Sequence, residues 1–306
     1  MKQQLVIGTR GSKLALWQAE YIADRLRKQY KDLVVQLKHI VTTGDKIIDV
    51  PLAQIGGKGL FTKELEVAML NGEIDLAVHS LKDMPTALPP GLILAAITER
   101  ADPFDALISL RYQSLDELPQ GAVLGTSSLR RKAQLLHYRP DLVICDLRGN
   151  LDTRLRKLDE GQFDAIILAA AGLKRLGWET KIRQLLSPEI CLPAVGQGAL
   201  AIETRQSENQ LQNLLGFLND EATQLATTAE RAFLQTVEGG CQVPVGVFGQ
   251  LIGNEIKVTA IIASLDGKTL LREQRQGPKE QAFALGCALA EHMLELGGRQ
   301  ILAAIR

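Results

Sequence analysis

The chain has 306 residues, 46% of them hydrophobic, which predicts two or three domains that each bury a core. Lys and Arg together number 35, as do Asp and Glu, so the chain lacks the basic excess of a nucleic-acid-binding protein. It starts without an apolar signal segment and has no apolar run that could span a membrane. Its four cysteines lie far apart without a CxxC pair, which speaks against a zinc site or a disulfide framework. We expect a cytoplasmic protein without a bound metal.

The first part of the chain alternates between strand-like and helix-like segments. Strands are predicted at 4–8, 33–41, 73–80 and 91–97, and helices at 12–29 and 62–70. Such alternation predicts parallel strands with right-handed crossovers, and therefore an α/β lobe.

A similar set of segments follows ERADPFDAL (99–107). Strands are predicted at 122–126, 141–146 and 164–169, and helices at 128–138 and 150–160. A further strand at 192–203, flanked by glycines, would return the chain to the first lobe. The chain would then cross between two lobes near 99–104 and near 193–199, which predicts a hinge and a cleft.

The last part of the chain has a different pattern. A helix is predicted at 221–237, and residues 245–276 contain period-2 runs separated by Gly-Asn and Asp-Gly, which are strong hairpin signals. Pro278 is then predicted to open a helix that runs to about residue 296. The predicted fold class is therefore α/β, with two lobes and a small C-terminal α+β domain whose antiparallel sheet has helices on one face. The predicted domains are 1–98 with 199–217, then 104–193, and finally 221–306.

Basic residues follow the ends of consecutive predicted strands. The segments are GAVLGTSSLRRKAQ (121–134), VICDLRGNLDTRLRK (143–157) and AIILAAAGLKRLG (165–177). Ligands of open α/β sheets gather outside the carboxyl ends of the strands, and Thr126-Ser127-Ser128 can cap a helix whose N-terminus favours an anion. Each arginine alone could be an ordinary residue of a solvated helix face, but their repetition at equivalent places favours a site for carboxylate or phosphate. The arginines that would surround this cleft are Arg130, Arg131, Arg148, Arg154 and Arg175.

Two further strand ends carry candidate functional residues. HSLKDMP (79–85) would place Lys82 and Asp83 at the same cleft, where Asp83 is either a group for proton transfer or a turn aspartate. His79 is interpreted as a packed strand-end histidine rather than a base. GTRGSKLALWQ (8–18) would direct Arg10 and Ser12 to an anion, and it does not match the GxGxxG dinucleotide pattern.

Two loops complete the set of candidates. IGGKGLFTKE (55–64) contains Lys58 but fails the phosphate-loop pattern, so it is either a mobile loop over the cleft or an ordinary surface loop. EGGCQVPVG (238–246) places Cys241 in an exposed loop fixed by glycines and proline, which makes it a candidate reactive thiol. The other cysteines, Cys145, Cys191 and Cys287, are interpreted as inert packing residues.

Several long motifs together resemble the porphobilinogen deaminase (hydroxymethylbilane synthase) family. They are HSLKDMP (79–85), GTSSLRR (125–131), LRGNLDTRL (147–155), LPAVGQGA (192–199) and ERAFLQTVEGGCQVPVG (230–246), in the family's order. The resemblance implies two periplasmic-binding-protein-like lobes and a third domain that bears the cofactor cysteine. It also implies an enzyme that condenses porphobilinogen units head to tail with loss of ammonia and releases a linear tetrapyrrole by hydrolysis.

The resemblance further implies a covalent dipyrromethane cofactor and assigns roles to residues of this chain. Cys241 would form a thioether to the cofactor, and Asp83 would be catalytic. The residues implied to bind the cofactor are Ser80, Lys82, Thr126, Ser128, Arg130, Arg131 and Arg154. The residues implied to bind the substrate are Arg10, Ser12, Lys58, Arg148, Arg175 and Gln197. The family suggests a monomer whose partner is the small substrate, without nucleic acid or membrane.

Two departures and one rival interpretation are open. Gln54 stands where some bacterial relatives carry lysine, and Asp146 places an acid close to Arg148, where it could weaken a carboxylate contact. The rival is a two-lobed solute-binding or effector-sensing protein that uses the arginines as a receptor without catalysis. Cys241 separates the two, because only the enzyme needs this residue for priming.

Overall fold

The computed structural model describes residues 3–46, 60–237 and 243–305; for residues 45 and 46 it describes the backbone. The first lobe begins with alternating strands and helices. Its elements are β1 (Gln4–Thr9), α1 (Lys13–Gln29), β2 (Val34–His39), α2 (Thr43–Lys46), α3 (Lys63–Leu70), β3 (Leu76–Ser80) and β4 (Leu92–Ile97). Alternate residues of β1, such as Leu5 and Ile7, are fully buried against the apolar face of α1, including Ile22 and Leu26.

The second lobe repeats this plan. Its elements are β5 (Asp105–Ile108), β6 (Val123–Gly125), α4 (Leu129–Tyr138), β7 (Val143–Cys145), α5 (Leu151–Asp159), β8 (Ala165–Ala169), α6 (Ala170–Arg175) and β9 (Gln184–Leu185). The strand order is β7-β6-β8-β5-β9, in which β6 is parallel to β7 and β8. β5 is antiparallel to both β8 and β9.

The chain then returns to the first lobe through β10 (Leu200–Arg205), followed by α7 (Asn209–Leu215). The order of the first sheet is β2-β1-β3-β10-β4, and β10 is antiparallel to β3 and β4. The two sheets therefore share one plan, and the fourth strand of each runs against its neighbours. The prediction of parallel pairing is wrong for these strands, because each follows a crossing between lobes instead of a helical crossover.

The return segment is shorter as a strand than its sequence predicted. The prediction placed a strand at 192–203, whereas β10 begins only at Leu200. Gly196 and Gly198 ahead of it have positive φ angles of 70° and 95°, which an extended strand does not contain. A Cβ atom on Gly198 would lie 2.5 Å from the carbonyl oxygen of Ala101, so the two crossing segments meet at this glycine.

The C-terminal domain packs a three-stranded antiparallel sheet against helices. Its elements are α8 (Glu221–Thr236), β11 (Val245–Ile252), β12 (Glu255–Ala263), β13 (Leu270–Pro278), α9 (Ala282–Met293) and α10 (Arg299–Ala303). Phe233, Val247 and Met293 are fully buried in its core. Pro278 is the last residue of β13 and also the N-cap of a 3₁₀ turn, Lys279–Gln281, that leads directly into α9 at Ala282, so a helical segment begins after Pro278 as predicted.

The predicted fold class is confirmed by this architecture. The third domain is fastened where the crossing segments meet, because buried Glu230 pairs with Arg100 at 2.6 Å. The same carboxylate accepts hydrogen bonds from the N–H groups of Gly196 (2.7 Å) and Gly249 (2.8 Å). Within the described residues, no helix is both long and apolar enough to cross a membrane.

Candidate active site

A cleft of about 590 Å³ lies between the two lobes. Its walls come from the ends of β1 and β3 in the first lobe, and from the segments after β6, β7 and β8 in the second. The polar side chains that line it include Arg10, Ser12, Lys13, Ser80, Lys82, Asp83, Arg131, Arg148, Asn150, Asp152, Arg154, Arg175 and Gln197. Strand ends of both sheets therefore face one space, as open α/β sheets require of a ligand site.

The connection from β1 to α1 supplies the first polar groups. Ser12 is the N-cap of α1, and its Oγ accepts a hydrogen bond from the N–H of Ala15 at 3.3 Å. Arg10 lies with its guanidinium carbon 4.2 Å from the ring centre of Phe61, a cation–π contact that holds the side chain at the cleft.

The turn after β3 supplies the only carboxylate of the first lobe that lines the cleft within the described residues. Leu81–Asp83 form a single 3₁₀ turn directly after the strand, and Asp83 is exposed to the cleft. Lys82 is half-buried, and its Nζ donates to Oε1 of Gln197 at 3.4 Å. Burial lowers the pKa of Lys82 to about 8, although the neighbouring Asp83 carboxylate opposes this. Ser80 Oγ accepts from Nε2 of Gln18 at 2.9 Å.

The wall of the second lobe is made of guanidinium groups. Arg154 donates from Nε to the carbonyl of Gly149 at 2.8 Å, and Arg175 donates from Nη2 to the carbonyl of Gly198 at 2.6 Å. Burial lowers the pKa of Arg154 and of Arg175 to about 10, and for Arg154 the nearby Arg131 and Arg148 charges add to this. Both remain cationic at neutral pH, at a free-energy cost that a bound anion would offset.

Asp105 organises this wall from behind. Its carboxylate is fully buried and lies 2.6 Å from Arg131 Nη2 and 2.8 Å from Arg130 Nη1. It also accepts from Gln197 Nε2 at 2.9 Å and from the Cys191 thiol at 3.3 Å. The two guanidinium groups hold the pKa of Asp105 well below its usual range despite burial, so this carboxylate is ionised at neutral pH.

Contacts between the lobes close one side of the cleft. Lys13 of α1 pairs with Asp152 of α5 at 2.6 Å, and its Nζ lies 5.9 Å from the ring centre of Trp178. Arg175 lies 5.9 Å from the ring centre of Trp17. These contacts are partly exposed and join side chains rather than backbone, so they can break as the lobes move apart.

The charge of the cleft is strongly unequal. Seven basic side chains and two acidic ones line it within the described residues, and one of the acids, Asp152, is already paired with Lys13. Such a surplus of cations on semi-rigid elements suits a ligand that carries several carboxylates. The described residues bring together no group of three or more His, Cys, Asp or Glu side chains fit to hold a metal ion.

Comparison with known proteins assigns the chain to a family. Two family models match it, described as "Porphobilinogen deaminase, dipyromethane cofactor binding domain" over residues 5–213 and "Porphobilinogen deaminase, C-terminal domain" over residues 224–295. The porphobilinogen deaminase of Desulforamulus reducens is 51% identical over 306 residues, which cover 100% of this chain and 99% of that protein. The chain belongs to the porphobilinogen deaminase family.

Solved structures of low sequence identity also match the chain. A nutrient-binding protein of Burkholderia cenocepacia bound to methionine is 15% identical, with a TM-score of 0.45, and the match covers 69% of this chain and 90% of that one. Immunogenic lipoprotein A of Vibrio vulnificus is 15% identical, with a TM-score of 0.44, covering 73% and 98% of the two chains.

The fold brings most of the predicted site residues to the cleft. Those that line it are Arg10, Ser12, Ser80, Lys82, Asp83, Arg131, Arg148, Arg154, Arg175 and Gln197. Lys58, Cys241 and Gln54 lie outside the described residues, as does the first half (55–59) of the 55–64 loop. Asp146 is exposed.

Three predicted site residues of this family member lie behind the wall instead of on it. Arg130 is 4% exposed and donates to the carbonyl of Leu192 at 2.7 Å in addition to its pair with Asp105. Ser128 caps α4 by accepting from the N–H of Arg131, and Thr126 Oγ1 accepts from the N–H of Ser128 at 3.2 Å. Their described contacts hold the start of α4, which in turn carries Arg131.

The sequence interpretation missed Asp105. ERADPFDAL (99–107) served only to mark a lobe boundary, and the partners of Asp105 are 25 residues or more away along the chain. The signal that could have found it is charge balance, since two adjacent arginines at a buried helix start need an acid. Cys191 fits its inert interpretation, because burial and the Asp105 charge raise the pKa of its thiol to about 12.

Proposed function

We propose that this chain condenses porphobilinogen units head to tail, with loss of ammonia, on a covalent dipyrromethane primer and releases a linear tetrapyrrole by hydrolysis. The observation that carries the proposal is the composition of the cleft. Its wall is rich in cations, and of the two carboxylates among its described residues, Asp152 is paired with Lys13 and Asp83 is not. Every pyrrole of the substrate carries an acetate and a propionate, so the growing product is a polyanion. Membership of the family supports the same activity.

The residues of the cleft fit a dipyrromethane. Arg131 is 6% exposed, and its buried Nε has no hydrogen-bond partner among the described residues, which suits an acceptor supplied by a ligand. Ser80, Lys82, Arg131 and Arg154 would hold the carboxylates of the cofactor, while Thr126, Ser128 and Arg130 would fix the helix start behind them. When bound, the cofactor supplies the nucleophilic pyrrole carbon on which the chain is extended.

Cys241 is the proposed attachment residue, in a loop outside the described residues. A thiolate is a soft nucleophile that suits an electrophilic pyrrole methylene, and a thioether resists hydrolysis under mild conditions. The thiolate would add to a methylene that has already lost its amine: the carbon–sulfur bond forms, the double bond of the methylene to the ring becomes a single bond, and the ring nitrogen takes up the proton that the thiol released. The primer would then stay attached through successive rounds.

Arg10, Ser12, Arg148, Arg175 and Gln197 would bind the incoming substrate, together with Lys58 outside the described residues. Arginine's planar fork matches a carboxylate, and each such charge-assisted hydrogen bond contributes about 1.5–3 kcal/mol. Gln197 is held by Asp105 on one side and faces Lys82 on the other, so it fixes the junction between the two walls.

Asp83 is the proposed catalytic residue. Its carboxylate emerges on a rigid turn beside Lys82, within the space where an amine leaves and a cationic pyrrole forms. It would assist the departing amine in its protonated form and stabilise positive charge on the pyrrole nitrogen in its ionised form.

The proposed domains are 1–98 with 199–217, then 104–193, and 221–306. We further propose a cytoplasmic monomer whose partner is the small substrate alone, without nucleic acid. The balanced net charge supports the absence of a nucleic-acid partner.

The deciding experiment is the intact mass of the denatured protein, followed by peptide mapping. We expect excess mass equal to a dipyrromethane on the peptide that contains Cys241, and its loss in Cys241→Ser. Cys287→Ser, a matched change at a half-buried cysteine, should keep the excess mass. A bare chain that forms no adduct with porphobilinogen would contradict the proposal and favour a receptor.

A further inference from the structure

Three buried titratable side chains lie behind Asp83 in the interior of the first lobe. They are His79 on β3, Glu203 on β10 and Glu66 on α3, which are 6%, 0% and 6% exposed. His79 Nε2 lies 3.1 Å from Glu203 Oε2. The antiparallel pairing of β3 with β10 brings these two side chains together. Ala201 lies opposite His79 and Glu203 opposite Ala77, so His79 and Glu203 lie on the same face of the sheet as diagonal neighbours. The shared face packs on the apolar side of α3.

The composition of this cluster requires it to hold protons. One carboxylate oxygen each of Glu66 and Glu203 is buried without a hydrogen-bond partner in the described structure. Burying an ionised carboxylate without compensation is costly. Burial raises the pKa of Glu66, and the Glu203 charge adds to this, whereas Thr62 and His79 oppose it. A protonated Glu66 removes one of these buried negative charges, and the carboxylate of Glu203 lies within hydrogen-bond distance of the His79 ring.

A small cavity is lined both by His79 of this cluster and by Asp83 of the active site. Its volume is about 70 Å³, and its lining includes His79, Gln18, Ser12, Ser80 and Asp83. A water molecule occupies roughly 30 Å³ of liquid volume, so on the order of two would fit. The hydroxyl and amide groups provide the polar partners that ordered water needs.

The charged surroundings of His79 come from four parts of the lobe. Glu203 lies on β10, Glu66 and Glu64 on α3, Asp83 in the turn after β3 and Arg10 on the far side of the cavity. Asp83 is the group among these that also faces the main cleft and carries a carboxylate.

The proposed reaction asks Asp83 to serve in two protonation states. It must be ionised to stabilise a pyrrole cation, and protonated to assist the departing amine. The other carboxylate in the described wall, Asp152, is committed to Lys13. A second proton-holding group within reach of Asp83 would allow it to alternate.

We propose that the His79–Glu203–Glu66 cluster is a proton store that exchanges with Asp83 through water in the small cavity. The inference rests on the proposed function. When the pyrrole carbon loses its proton, the C–H electron pair returns to the ring, and Asp83 takes the proton and passes it to the cluster. The next departing amine takes that proton back through Asp83, the electron pair of the breaking carbon–nitrogen bond stays with nitrogen, and ammonia leaves. No other reactant is consumed.

The first test compares the steady-state turnover of porphobilinogen by the holoenzyme and its variants across neutral pH. His79→Gln removes the titrating group, and Glu66→Gln mimics a carboxyl that cannot release its proton. We expect kcat to fall roughly 10- to 100-fold, with KM within about threefold, because positioned proton transfer contributes at this level. The pH dependence of kcat should shift in both variants. His137→Gln, at an exposed histidine bonded to the Gly267 carbonyl, is the matched control and should keep the wild-type profile.

The second test needs no turnover. The chain has four histidines, so the ring proton NMR signal of each can be assigned by substitution. Asp83→Asn should move the titration midpoint of His79 and leave those of His39, His137 and His292 in place. If His79→Gln does not fold, Glu66→Gln and this titration carry the test.

Wild-type kcat and pH profile in folded His79→Gln or Glu66→Gln would overturn the proton store, as would a His79 signal indifferent to Asp83→Asn. A wild-type protein that does not consume porphobilinogen would instead refute the proposed function. The NMR titration would still decide whether His79 and Asp83 are coupled.

Discussion

The two walls of the cleft present different side chains, and we propose that one serves binding and the other chemistry. The wall of the second lobe, with Arg131, Arg148, Arg154 and Arg175, is made of guanidinium groups that Asp105 and backbone carbonyls hold in place. The wall of the first lobe presents hydroxyls, Arg10, two lysines (Lys13 and Lys82) and the carboxylate of Asp83.

Burial has opposite consequences on the two walls. In the second lobe it raises the free energy of arginines that stay charged, so that wall is preorganised for an anion. In the first lobe the buried groups are carboxylates and a histidine, which can exchange protons instead of staying charged. The same fold plan thus yields a rigid electrostatic receptor on one side and a titratable surface on the other.

The largest effect on turnover is expected for Asp83→Asn, which removes the carboxylate from the wall of the first lobe. The variant should fold, because Asp83 is exposed, and its turnover should fall about 10²- to 10⁴-fold, as expected for loss of a general acid–base group. Stopped assays of porphobilinogen consumption measure the effect. Asp152→Asn removes the other cleft carboxylate and should change turnover by less than about fivefold, since a partly exposed ion pair is worth at most about 1 kcal/mol. Similar losses in both variants would show that the acids act only through net charge.

Asp105→Asn should destabilise the wall of the second lobe, because it removes the buried carboxylate that pairs with Arg130 and Arg131. Removing one partner of a buried ion pair costs about 3–5 kcal/mol of unfolding free energy, which denaturant titration measures. The pKa of Asp105 is lowered in the folded state, so its contribution is present above the unfolded pKa of about 3.9 and is lost as pH falls below it. The variant should therefore lose less stability in acid than the wild type. Exposed Asp146→Asn is the control, and a wild-type stability of Asp105→Asn would contradict the argument.

Lys82 should make anion binding sensitive to alkali. Its pKa of about 8 means that its positive charge is lost as pH rises through that value. We expect KM for porphobilinogen to rise across this range, and to rise less in Lys82→Arg, whose guanidinium keeps its charge. Parallel pH profiles of KM in the two proteins would assign the effect to another group.

The smallest effect is expected where the walls touch each other. Lys13→Ala removes the pair with Asp152, and because Lys13 is largely exposed the free energy of unfolding should change by no more than about 1 kcal/mol. The difference should shrink further in high salt. A larger change, or one insensitive to salt, would mean that the contact holds the lobes together.

The sequence predicted most of the side chains that line the cleft but not the buried groups behind them. Strand ends followed by Arg148, Arg154 and Arg175 meet at one cleft because parallel strands end at a common edge. Arg130 and Arg131 were indistinguishable by pattern. Neighbouring helix positions differ by about 100° in direction, and only the packing of the helix decides which of the two lines the cleft. Asp105 and the His79–Glu203 pair depend on contacts distant in sequence, which no local pattern encodes.

The fold of the sheets was predictable to the same limit. Alternating segments gave the two lobes and the hairpins gave the third domain. The antiparallel direction of β5 and β10 could not be predicted from the sequence, because the chain enters each of these strands from the other lobe and not through a helical crossover.

This insertion also sets an order of events during synthesis. All strands of the second sheet lie between Asp105 and Leu185, so that lobe has its complete sheet as soon as this segment leaves the ribosome. The first sheet still lacks β10, which separates β3 from β4, until Arg205 has been added. The lobe that is made first is therefore finished last, and a chain that stalls in between leaves β3 and β4 with unpaired edges open to aggregation.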